Sequence, residues 1–356
     1  MARSKSAEKK PPLAVVEEAA WPNVQEDLDL IRRAPWLQDP WQRLVSLHTL
    51  GRVPHGLMIS GDRGLGTLTL ARCISAFLLC SHPIMRPGEE APCGECPACH
   101  LRRAGTHPDL IILAGDAAAR DIPVEAVRGL IESFSLTRHG ALRIALIEQA
   151  ERMNRAAANS LLKLLEEPPA GSLFLLTAER ADLLPSTIRS RIQRLTVAMP
   201  NRTALVDWLC QAHGLSRTDA ELLWFVGGRE LVTGQAPTWD WQGVTQALTD
   251  LVTGRLSPLA AAKVWQSIDR ETLAHWLLRV WLTVQRLSMG LSCEAPEALC
   301  PALLLLARAL PAEEWLKRHP ILLAFLQTST HPLNEELARE RLALDLIDSA
   351  LPARLA

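Results

Sequence analysis

Two groups of residues have the types and spacing to do chemistry. The first is four cysteines, Cys80, Cys93, Cys96 and Cys99, spaced C-x12-C-x2-C-x2-C. A tetrahedral Zn(II) takes four thiolates, and a C-x2-C pair reaches one ion from a tight turn. Pro92, Gly94 and Pro97 supply the turn chemistry. Four thiolates leave no coordination position open, so this spacing predicts a structural zinc. His82 and His100 are possible substitute ligands, and four unligated thiols in a loop is the alternative. The other cysteines, Cys73, Cys210, Cys293 and Cys300, read as small core residues, with Cys73 one heptad before Cys80 on a helix.

The second group is the glycine loop S-G-D-R-G-L-G-T-L at residues 60–68. A phosphate-binding loop reads G-x-x-x-x-G-K-[ST] between a strand and a helix. Gly61 and Gly66 hold the two glycine positions, but Thr67 stands where Lys is needed and Leu68 where Ser or Thr is needed. The partner of such a loop is an apolar strand ending in an acid for Mg, usually followed by a Glu that orients water. R-I-A-L-I-E-Q at residues 143–149 ends in Glu148 and Gln149, and Gln149 cannot act as a carboxylate base. Both halves are altered together. The residues therefore predict a nucleotide-site fold that no longer hydrolyses, with no ATP expected as cofactor.

The elements that must position these groups alternate along the chain. G-L-M-I-S, D-L-I-I-L, R-I-A-L-I-E, S-L-F-L-L-T-A and R-L-T-V-A are short apolar strand candidates. Helical stretches separate them, which predicts a parallel sheet covered on both faces. The stretch A-E-R-M-N-R-A-A-A-N-S-L-L-K-L-L-E-E reads as one long helix stopped by Pro168 and Pro169. Beyond Pro200 the strand signal stops. Residues 1–24 mix Lys, Glu, Ala and Pro without apolar periodicity and read as a disordered leader. The expected organisation is a leader (1–24), an α/β domain (25–199) carrying the zinc module at 80–99, a small helical domain (200–240), and a larger Leu- and Trp-rich helical domain (241–356).

With 356 residues, 48% hydrophobic and 22% charged, the chain has the composition of a soluble multidomain protein. Its net charge of −1 announces no global nucleic-acid binder. No apolar run reaches the length of a membrane span and the first residues are not a signal sequence, so a cytoplasmic location without membrane contact is expected. Crowded cysteines in a reducing compartment point to metal rather than disulfides.

Four stretches carry a resemblance: R-V-P-H-G-L-M-I-S-G with His55, A-G-T-H-P-D-L, A-E-R-M-N-R-A-A-A-N-S-L-L-K-L-L-E-E-P-P, and L-L-P-S-T-I-R-S-R-I. In that order, with a loop carrying the cysteine cluster between the first and the second, they resemble the clamp-loader subunits of bacterial DNA polymerase III. The resemblance runs from about Pro35 to Val197. It is closest to the non-hydrolysing member rather than to the gamma/tau motor, which keeps Lys and Thr in its loop. Ser190, Arg191 and Ile192 are similar to the family's Ser-Arg-Cys motif, with Ile in place of Cys. The x12 gap after Cys80 departs from the family's shorter spacing and implies an enlarged loop.

The resemblance implies an α/β AAA+ module followed by a small helical lid and an all-helical collar through which subunits form a ring. It implies a subunit without ATPase activity that works with gamma/tau and delta subunits to place a sliding clamp on primed DNA. It further implies that Arg191 acts in trans as an arginine finger on a neighbour's ATP, with Arg189 the nearest competitor. Arg120 and Arg128 are candidates for contacts to DNA phosphate, and Arg229 falls where family ATPases carry a nucleotide-sensing arginine. The alternatives are an ATP-hydrolysing gamma/tau-type motor, against which Thr67, Leu68 and Gln149 speak, and a zinc-dependent nucleic-acid-binding module.

Overall fold

The computed structural model describes residues 24–114, 122–134, 138–227, 231, 234–235, 237–328 and 334–347. Residues 1–23 of the expected leader, and Arg120 and Arg229, lie outside the described residues. The chain divides into two compact units, Met1–Pro200 and Asn201–Ala356.

In the first unit, α1 (Val24–Arg33) and α2 (Pro35–Thr49) lead into β1 (Gly56–Ser60) and α3 (Thr67–Leu79). Then come α4 (Pro97–Arg103), β2 (Leu110–Leu113), α5 (Val124–Phe134), β3 (Arg143–Ile147), α6 (Arg155–Glu166), β4 (Ser172–Ala178), α7 (Ser186–Arg189) and β5 (Gln193–Thr196). The five strands form one sheet in the order β2-β3-β4-β1-β5, and every pairing is parallel. The central strands β1, β3 and β4 are buried along their whole length, whereas edge strand β5 exposes Gln193, Arg194 and Thr196. Mainly apolar central strands, buried along their length, are what a parallel sheet covered on both faces requires.

The stretch expected as one helix after β3 is two elements. A 3-10 turn spans Ala150–Arg152, Met153 is extended, and Asn154 caps α6 by accepting the Ala157 N–H at 2.8 Å. An Asn side chain satisfies an orphan donor at a helix start better than it continues a helix, so the cap splits the run.

A buried ion pair fixes the start of β2 against β3. Asp109 accepts from Arg143 Nε and Nη2 at 3.1 and 2.9 Å and from the N–H groups of His139 and Gly140. Both side chains are almost wholly buried, and Arg143 Nη1 also donates to the Ser133 carbonyl at 2.8 Å. The carboxylate spans residues 109, 139, 140 and 143, tying the loop before β3 to the strand beside it.

The second unit is helical throughout its described residues: α8 (Arg202–His213), α9 (Arg217–Val226), α10 (Trp241–Val252), α11 (Pro258–Trp265), α12 (Arg270–Ser288), α13 (Cys300–Ala309), α14 (Ala312–Gln327) and α15 (Glu335–Ile347). Leu222 and Phe225 of α9 share one core with Val244, Trp265, Trp276, Trp315 and Leu342. The Phe225 and Trp276 rings meet edge-on at 5.3 Å. Cys293 and Cys300 pack against this core as expected, but as a disulfide, their Cα atoms 6.3 Å apart. Nothing in the spacing of these two thiols indicates that they meet. A parallel sheet with helices between its strands, followed along the chain by helices alone, is the α/β-then-helical architecture expected from the sequence. No helix among the described residues is long and apolar enough to cross a membrane.

Asp109→Ala should destabilise the first unit by about 3–5 kcal/mol, because it leaves a buried guanidinium uncompensated. The partners of Asp109 hold its carboxyl below the usual carboxylate range even though burial opposes ionisation. Its stabilisation is therefore present above the unfolded pKa of about 3.9 and is lost as pH falls through the lower folded value. Chemical denaturation of the wild-type chain and the variant across this acid range should show the difference shrinking as pH falls.

Candidate functional site

The carboxyl ends of β1, β3 and β4 lie on one edge of the sheet because the three strands run parallel. After β1 the chain turns through residues 61–66 into α3. Gly64 and Gly66 have φ of 88° and 85°, the left-handed region that L side chains rarely adopt. Gly61 is needed for space: a Cβ there would lie 2.8 Å from the Val197 carbonyl oxygen and 2.9 Å from Val197 Cβ. The glycine positions are thus used by the turn itself, with Thr67 opening α3 and Leu68 following it. Leu65 is fully buried, and its carbonyl accepts from the Trp36 indole at 3.1 Å.

After β3, Glu148 pairs with Arg72 of α3 at 3.6 Å. A guanidinium therefore pairs with the carboxylate that the strand-end motif offers for a divalent cation. Gln149 takes a left-handed backbone with φ of 50°, and its N–H donates to Thr177 Oγ1 of β4 at 2.9 Å. Sequence reasoning missed Arg72. The available signal was its position one helical turn after Leu68, on the same side of α3.

The thiols converge. Sγ atoms of Cys80, Cys93, Cys96 and Cys99 all lie within 4.8 Å of one another, and neither His82 nor His100 belongs to the group. Cys80 Sγ is 3.4 Å from Cys93 Sγ and 3.9 Å from Cys96 Sγ. A Zn–S bond of about 2.3 Å implies a tetrahedron edge of about 3.8 Å, so the donor set and its spacing fit such an ion. The long gap after Cys80 is closed by an antiparallel bridge between Ile84 and Ala91, which returns the chain to Cys93. Cys96 caps α4, accepting the Cys99 N–H at 3.4 Å, and Pro97 is the first residue of that helix. Cys99 therefore sits on a helical turn, an element not expected from the sequence. Arg103 Nη2 donates to the Gly94 carbonyl at 3.0 Å and fixes the turn from outside.

The thiols differ in acidity. Burial works to raise Cys96, but N–H donation from Cys99 and Ser81 and the neighbouring thiols bring it down to about 6. Burial, with donation to Cys96, pushes Cys99 up to about 12. Cys80 is also raised, chiefly by burial. A divalent ion held by the four sulfurs would displace their protons.

Arg191 follows α7 between two core anchors. Ile188 and Ile192 are buried, and a Cβ on Gly56 would come 2.7 Å from Ile192 Cγ2. Arg191 itself is 36% exposed; its Nη2 lies 2.7 Å from Glu166 Oε1 and its Nη1 donates to the Thr187 carbonyl at 2.9 Å. Arg189 and Arg128 are exposed side chains.

The family model "DNA polymerase III, delta subunit" matches residues 37–201. The DNA polymerase III subunit delta' of Pseudomonas aeruginosa is 33% identical over 269 residues, covering 71% of this chain and 81% of the relative. The chain belongs to the delta' family of DNA polymerase III subunits. The Escherichia coli subunit delta' is 36% identical over 188 residues, and there the match spans 52% of this chain and 55% of the relative, about half its length. A solved gamma subunit-related protein of Thermotoga maritima aligns with a TM-score of 0.40 at 17% identity, covering 85% of this chain and 98% of that one. Within the delta' family, the altered loop of this chain and its Arg72–Glu148 pair are features of one edge of the sheet.

Restoring the loop residues by Thr67→Lys with Leu68→Thr should give no ATP turnover above background. Arg72 would still occupy Glu148, and Gln149 would still lack a carboxylate. A steady-state phosphate-release assay on the purified double variant checks this.

Proposed function

We propose that this chain is a non-hydrolysing subunit of a DNA polymerase III clamp loader, assisting ATP-driven placement of a sliding clamp on primed DNA beside gamma/tau and delta subunits. Residues 200–240 would act as the lid and 241–356 as the collar, although Leu222 and Phe225 of the lid segment pack into the collar's core. Cys80, Cys93, Cys96 and Cys99 would hold one structural Zn(II). Arg191 would be the arginine finger that completes the ATP site of a neighbouring motor.

The observation that carries this reading is the contrast between two cationic groups. Arg72 is turned inward onto Glu148, the acid a motor would need for its metal. Arg191 is held at the surface between buried Ile188 and Ile192. The chain has closed its own site to metal-nucleotide and keeps an exposed guanidinium to offer elsewhere. A planar guanidinium delivered in trans stabilises charge on a transferring phosphoryl group.

Fresh protein should carry one Zn per chain by metal analysis, and Cys96→Ser should abolish it while the α/β unit stays folded by circular dichroism. A metal-free wild-type chain would exclude the zinc assignment.

In a complex reconstituted with gamma/tau and delta subunits, Arg191→Ala should lower DNA-stimulated ATP turnover. The loss should be smaller than the roughly 10³- to 10⁵-fold seen when small GTPases lose such a finger, because the other ATP sites keep their own arginines. Arg191→Lys should rescue poorly, since an ammonium lacks the planar fork, and Arg189→Ala should have little effect. Unchanged turnover with Arg191→Ala would leave the chain a scaffold only.

A further inference from the structure

We infer that Glu166 is a positioning residue for Arg191, holding its guanidinium ready for an oxyanion on the neighbouring subunit. The inference rests on the reading of Arg191 as a finger. Three contacts hold the guanidinium: Glu166 Oε1 at 2.7 Å from Nη2, the Thr187 carbonyl at 2.9 Å from Nη1, and Ser190 Oγ at 3.2 Å from Nη1. These engage three of the five N–H donors of an arginine. Nε–H and one N–H of Nη2 are left over, enough for two hydrogen bonds to phosphate oxygens. The contacts thus fix the group without using it up.

Glu166 is placed for this and for little else. It is the last residue of α6, where a negative charge opposes the helix dipole. Its helix is anchored by buried Leu164 and Leu165, so the carboxylate projects from a fixed point. Arg191 is anchored in turn by Ile188 and Ile192. Two rigid elements therefore present the pair to each other, while both side chains keep substantial exposure, 36% for Arg191 and 50% for Glu166. Holding a long side chain in one rotamer before docking removes an ordering cost from the docked state.

The test uses the reconstituted complex with Glu166→Ala, Glu166→Gln, Arg191→Ala and the Glu166→Ala/Arg191→Ala double variant. DNA-stimulated ATP turnover is measured as kcat and KM, with assembly followed by native mass and folding by thermal denaturation. Glu166→Ala should lower kcat by about two- to fivefold, the scale of an exposed pair, at unchanged KM and assembly. Glu166→Gln keeps an acceptor and should lose less. In the Arg191→Ala background, Glu166→Ala should have no further effect. An equal fall from Glu166→Ala with and without Arg191 would overturn the inference, because Glu166 would then act through something else. So would an unchanged kcat for folded Glu166→Ala beside an impaired Arg191→Ala. No effect from Arg191→Ala itself would remove the finger reading and the inference with it.

Discussion

The structure depends on β1 being held in parallel register between β4 and β5. Leu57 to Ser60 each pair with a residue of both neighbours, and Ser60 is matched to Ala178 on one side and Thr196 on the other. That register brings the glycine loop beside Val197 so closely that residue 61 has no room for a side chain. It also puts the ends of β3 and β4 on the same edge, where Gln149 meets Thr177. Because ligands of open parallel sheets bind outside the carboxyl ends of their strands, this one constraint decides where a nucleotide would sit.

At that edge the charges pair within the chain. A divalent cation that would gather around Glu148 has its counterpart in the Arg72 guanidinium. Glu148 is largely covered at the end of β3, and a cation from the helix that follows the glycine loop balances its charge without a ligand. Trp36 on the Leu65 carbonyl fixes the loop from the other side. The glycine turn is in this sense a scaffold corner.

The helical unit uses its apolar residues in two ways. Trp265, Trp276 and Trp315 are each buried to within 1% and donate their indole N–H groups to Val244, Thr245 and Leu306. Large side chains with one polar atom suit an interior where that atom finds an acceptor. The apolar side chains left at the surface are mostly leucine, among them Leu259, Leu282, Leu305, Leu316 and Leu337. Leucine and tryptophan build the core of this unit together, and leucine also supplies most of its exposed large apolar side chains.

The sequence by itself determined the strands, because a central strand of a covered parallel sheet is a short run of mainly apolar residues, and G-L-M-I-S, R-I-A-L-I and S-L-F-L-L-T-A are such runs. It determined the thiol group as well, since C-x2-C-x2-C permits few arrangements in space. Only the tertiary structure decided what lies between elements distant in the chain. Cys80 joins the other thiols because Ile84 and Ala91 bridge. Arg72 meets Glu148 across 76 positions, and Arg191 meets Glu166 across 25. Cys293 and Cys300 meet because the turn from α12 to α13 brings them together. Periodicity and spacing report a residue's own element. The partner of an Arg or a Glu is set by how two elements pack, and a single sequence carries no local signal of that.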